Sequence, residues 1–100
     1  MPTNDWIVWL TRIGAEVVLG HPVAEDSAHR FRVVGRFLEH AAAGVLIDVE
    51  AVQKLTVPRQ SIVGSWTVSP RSCLIPLHYI ESMERIEEVR ASDDPESRIG

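Results

Sequence analysis

One hundred residues, 45% apolar and 24% charged, fit one globular domain with a single hydrophobic core and leave no room for a second. A net charge of −4 excludes a whole-surface basic footprint for nucleic acid, though not a local basic stripe. The lone cysteine, Cys73, excludes an internal disulfide and suits a reducing compartment.

At the N-terminus, Trp6, Trp9, Leu10 and Ile13 recur at i, i+3, i+4 and i+7. That spacing predicts a short helix, capped by Thr3 or Asn4 and ended by Gly14 in the left-handed region. The same stretch, Trp6-Ile7-Val8-Trp9, also has strand composition. Its apolar run is too short for a leader core, and no run reaches the roughly 20 apolar residues that span a membrane. The expected location is therefore cytoplasmic, with no membrane contact.

From Gly14 the period becomes two. Val17, Leu19 and Val23 predict a strand interrupted at Gly20-His21-Pro22, with a polar loop over 24–29. Phe31, Val33, Gly35 and Phe37 then alternate with Arg30, Arg32, Val34 and Arg36, a core face against a solvent face. Ala41-Ala42-Ala43-Gly44 predicts a three-residue hairpin loop. Centred on Ala42, that loop sets Leu38 opposite Leu46, Phe37 opposite Ile47, Arg36 opposite Asp48, Gly35 opposite Val49 and Val34 opposite Glu50. Phe31, Val33, Phe37, Val45, Ile47 and Val49 then point inward, and Arg36 and Asp48 outward.

Residues 55–71 are broken by Pro58, Gly64 and Pro70, with short strand pieces expected at 62–63 and 66–68. Cys73-Leu74-Ile75-Pro76-Leu77 reads as a strand whose proline places it at an edge or bulge. A turn at His78-Tyr79-Ile80 leads into a last strand over 82–87. A helix over 81–90 is the alternative, because Met83, Ile86 and Val89 recur every three residues. The domain is expected over 1–90, and the polar, acidic 91–100 as a disordered tail.

The order of these elements resembles the Sm-like family. Trp9-Leu10-Thr11-Arg12-Ile13-Gly14-Ala15-Glu16-Val17-Val18 resembles its helix end, glycine junction and first strand. Val34-Gly35-Arg36-Phe37-Leu38 sits where the family bends its second strand. Leu74-Ile75-Pro76-Leu77-His78-Tyr79-Ile80-Glu81-Ser82-Met83 resembles its strand–turn–strand motif. The fold class so implied is mainly β, a five-stranded Sm-like (SH3-like) barrel behind a short N-terminal helix; another SH3-like small barrel is the competitor. The resemblance also implies a homo-oligomeric ring, the fourth strand of one copy pairing with the fifth of the next. Leu74, Ile75, Leu77 and Met83 would be the apolar contact and Arg85 part of a charged one. The chain departs from the RNA-binding members where they carry an aspartate and an asparagine, at positions matched here by about Ala41 and Val45. His78 resembles the turn histidine of the family's bacterial RNA chaperones, but Leu77 replaces their lysine.

Two functional readings follow. In the first, single-stranded RNA binds at the pore or rim of a ring. His78 and Tyr79 would stack on a base, and Arg30, Arg32 and Arg36 would track phosphates. Against it, a turn histidine is commonly just solvated, and Asp48 and Glu50 on the facing strand would neutralise the arginines. In the second, the barrel assembles with itself or another protein and binds no nucleic acid. His21, Glu25, Asp26 and His29 lie within nine residues but lack the spacing of a zinc site, and loop composition explains them. Cys73 in an apolar strand reads as buried and inert. No catalytic, phosphate-loop or dinucleotide motif is present. The expectation is a non-enzyme without cofactor, metal or small-molecule substrate.

Overall fold

Trp6, Ile7, Val8 and Trp9 are residues that favour a pleated, well-packed backbone, and in the computed structural model they lie in a strand. The structure describes residues 5–24 and 27–86. Its elements are β1 (Asp5–Leu10), α1 (Arg12–Leu19), β2 (His29–Ala41), β3 (Gly44–Thr56), β4 (Ile62–Trp66), β5 (Ser72–Pro76), a 3-10 turn (Leu77–Tyr79) and β6 (Ile80–Arg85).

The N-terminal helix is thus a correction. β1 lies between β2 and β6, with Val8 opposite both Val33 and Met83. Val8, Trp9 and Leu10 are all buried, so both faces of the strand are covered. A strand buried on both sides is apolar at successive positions, and such a run contains i, i+3, i+4 spacings by default.

The helix comes one element later, where a strand was expected. Thr11 is its cap: Oγ1 accepts from the Gly14 N–H at 3.0 Å. Gly20, at φ 81°, is the left-handed stop assigned above to Gly14, and its N–H donates to the Glu16 carbonyl at 2.8 Å. Arg12 and Glu16 pair one turn apart at 3.2 Å. Gly14, Ala15 and Val18 face inward, whereas Ile13 and Val17 are exposed. Gly14 is needed for close approach: a Cβ there would stand 2.6 Å from the Tyr79 carbonyl oxygen. Beside it, the Thr11 N–H donates to the same oxygen at 2.9 Å.

The β2–β3 hairpin is the spine. Phe37 faces Ile47, Arg36 faces Asp48 and Gly35 faces Val49, in the expected register. Two irregularities alter the rest. Leu38 is unpaired, so Glu39 rather than Leu38 faces Leu46, and the turn closes with Ala42 and Ala43 alone. Glu50 is unpaired, so Val34 faces Ala51. An extra residue in one strand flips its facing parity, which is how Val49 and Val52, three apart, are both buried.

The sheet runs β4–β3–β2–β1–β6, and every pairing is antiparallel. The far edge of β3 is shared: β5 lies along Gly44 to Asp48 and β4 along Val52 to Leu55. Among the described residues there are six strands rather than five, and the sheet is not closed into a barrel, since β5 pairs there only with β3 and β6 only with β1. Breakers leave 62–66 as one strand, and Pro76 ends β5. Residues 80–85 form a strand rather than the alternative helix; the end of the predicted strand, the 87–90 part of that helix and the 91–100 tail lie outside the described residues. Val8, Leu10, Val33, Val45, Ile47, Val49, Val52 and Ile75 form the core with Ala15 and Val18 of α1. Each aliphatic side chain buried there stabilises the fold by about 1.5–3 kcal/mol, before the entropy of ordering it. Among the described residues, no helix is long and apolar enough to cross a membrane.

Candidate functional site

The sheet leaves a cleft where its strands end beneath α1. Leu10 closes β1, Phe31 opens β2, Lys54 and Trp66 lie near the ends of β3 and β4, and Leu19 and Val23 come from α1 and its following loop. The cavity measures about 270 Å³. Its polar lining is Arg12, His21, His29, Arg30, Lys54 and Glu81.

The floor is aromatic. Phe31 and Trp66 stack at 6.3 Å between ring centres, with 29° between planes. Gly64 makes room for this: a Cβ there would stand 2.6 Å from the indole. Trp66 remains 39% exposed, and Phe31 9%. Lys54 lies directly opposite Phe31 in the hairpin register, with its ammonium 6.0 Å from that ring.

Most of the charges around the cleft are already paired. Arg30 donates to Glu81 at 2.7 Å. Arg12 pairs with Glu16, whose carboxylate also accepts the Val23 N–H at 3.0 Å and so ties down the loop after α1. Lys54 has no carboxylate within ion-pair distance among the described residues.

Of the arginine stripe, Arg30 and Arg32 converge on one ring, at 4.4 and 5.4 Å from the centre of Trp9. Arg32 also donates to Gln53 at 2.7 Å. Burial pushes the Arg32 guanidinium below its ordinary value, an effect opposed by nearby Glu84. Arg36 stands apart and exposed, and Asp48 bonds Arg71 rather than Arg36. The carboxylate that meets the stripe comes from β6, not from Asp48 or Glu50 on β3.

His78 and Tyr79 form a tilted pair, ring centres 4.0 Å apart, on the 3-10 turn. His78 is exposed, while Tyr79 is half-buried against the core. Leu74 and Leu77 are exposed. Ile75 is 1% exposed and spent in this chain's own core, so it offers no surface to a second copy. Met83 is half-buried on the core, and Arg85 stacks 5.9 Å from the Trp6 ring. His21 and His29 both line the cleft, while Glu25 and Asp26 lie outside the described residues. Among the described residues no three metal-ligating side chains cluster. Cys73 is half-buried, its thiol 3.6 Å from the Pro70 carbonyl, and burial pushes its pKa up, away from a reactive thiolate.

The sequence reading missed this cleft. Its lining is spread over six separate stretches of the chain, and the lining residues the sequence singled out, Arg30, His21 and His29, were read for other chemistry. No family model, no curated protein and no solved structure matches the chain.

Proposed function

We propose that this chain is a self-assembling β module of the Sm-like or SH3-like kind, in which β5 of one copy pairs with β6 of the next. The observation behind this reading is that, among the described residues, both strands are open edges: β5 pairs only with β3 and β6 only with β1, and the 3-10 turn sends them to opposite ends of the sheet. An open edge presents a row of backbone donors and acceptors to any compatible strand. Complementary edges of similar length, 5 and 6 residues, give a head-to-tail contact that closes into a ring when the rotation per copy divides a full turn. Exposed Leu74 and Leu77 flank that edge. The order hairpin, edge strand, 3-10 turn, closing strand supports the resemblance, although the helix follows β1 instead of preceding it. Sedimentation across micromolar concentrations tests the reading. Assembly is expected, and Leu74→Glu with Leu77→Glu should weaken it at unchanged melting temperature. A monomer mass throughout would overturn it.

A second reading, RNA at the rim, is favoured by the exposed His78 beside Tyr79, a polar and aromatic pair suited to an unstacked base. The pairing of Arg30 and Arg32 weakens it. Gel shifts with uridine-rich and adenine-rich RNA should give complexes that weaken with salt and with His78→Ala; no shift at low salt retires it.

A further inference from the structure

We propose that the cleft over Phe31 and Trp66 binds a small organic anion, an aromatic ring bearing one carboxylate, with the ring on the indole and the carboxylate on Lys54. This inference stands apart from self-assembly, which uses β5 and β6. It also departs from the sequence reading, which implied no small-molecule ligand.

The first observation is the position of Lys54. Its cross-strand neighbour is Phe31, a core-face residue, so Lys54 occupies the end of the inward face that Val45, Ile47, Val49 and Val52 fill with aliphatics. An inward charge is a known guard on an edge strand. Here β3 is flanked by β2 and β4, so that role has nothing to guard. Among the described residues, the Lys54 ammonium has the Phe31 ring 6.0 Å away but no carboxylate within ion-pair distance. A ligand carboxylate would supply the missing partner through a charge-assisted hydrogen bond.

The second observation is the floor. Trp66 is held by Gly64 and Phe31 into an orientation that leaves 39% of it in water. A ring laid against it removes apolar surface from water and stacks at the same time.

Charge and size decide the class. Among the described residues, the charged side chains lining the cleft are Arg12, Arg30, Lys54 and Glu81; Arg12 is paired with Glu16 and Arg30 with Glu81, which leaves Lys54 as the cation a ligand carboxylate would pair. A cavity of 270 Å³ falls below the range of about 300–1,000 Å³ typical of drug-sized ligands, which points to a metabolite-sized guest.

Calorimetry and the Trp66 indole NMR signal test this with 2-naphthoate, neutral 2-naphthalenemethanol and inorganic phosphate as probes. Naphthoate should bind and shift the Trp66 signal. Lys54→Met, which keeps the apolar stem, should weaken naphthoate about tenfold while leaving the neutral probe and the melting temperature unchanged. If Lys54→Met proves unstable, salt dependence of naphthoate binding to the wild-type chain replaces it. Absence of binding at millimolar naphthoate, equal binding of the charged and neutral probes, or phosphate competing as well as naphthoate would each overturn the proposal.

Discussion

Asp48 stands directly across the hairpin from Arg36, yet its carboxylate is held by Arg71, 3.3 Å from Nε, on the segment leading into β5. Arg71 does more than pair. Its Nε donates to the Val49 carbonyl at 3.2 Å, and its own carbonyl accepts the Val49 N–H at 2.8 Å. It therefore fastens β3 beside the irregularity at Glu50, where ladder pairing lapses.

From that relationship, Arg71→Ala should cost about 1 kcal/mol, mostly through the hydrogen bond to Val49, since an ion pair this exposed contributes little. Arg36→Ala should stay within about 0.5 kcal/mol. Urea midpoints at constant slope give the comparison, and a larger loss for Arg36 would refute the assignment of Asp48 to Arg71.

Two glycines separate backbone crowding from side-chain crowding. Gly14→Ala gains about 1 kcal/mol of helix propensity, yet its Cβ meets the Tyr79 carbonyl, which α1 and the 3-10 turn hold in place. Overpacking of about 1–3 kcal/mol should win, and the melting temperature should fall. Gly64→Ala meets only the rim of a half-exposed indole that can swing aside. It should move the fluorescence maximum of Trp66 and cost little stability. A rise in melting temperature for Gly14→Ala would show that the turn yields.

Cys73 gives a pH dependence. Burial raises its pKa, so at any pH through the thiol range the folded chain carries less thiolate than the unfolded one. Alkylation by iodoacetamide at pH 8 should be slower in buffer than in urea, and the folded rate should climb at a higher pH. For stability the sign is the same. The contribution is complete below the unfolded pKa and is lost as pH rises through the folded one, and Cys73→Ala should flatten that alkaline loss. Equal rates in buffer and urea would mean the thiol is not desolvated.

The sequence by itself determined the hairpin centre, because alternation over 31–37 and 45–49 is a local pattern read twice, once on each strand. Phe37–Ile47, Arg36–Asp48 and Gly35–Val49 follow from that parity and from one turn. It also determined the mainly β class and the edge placement of the Pro76 strand. Tertiary structure alone decided residues 5–20. A two-sided burial of β1 mimics helical spacing, and the capping choice between Gly14 and Gly20 depends on Tyr79, 65 residues away from Gly14. It decided as well the irregularities at Leu38 and Glu50, which the alternation along the two strands does not announce. The cleft belongs to the same class. Lys54 looks like an ordinary solvated lysine until the register sets it against Phe31, and Trp66 looks like the start of a separate strand piece until Gly64 lets its ring turn onto that same phenylalanine.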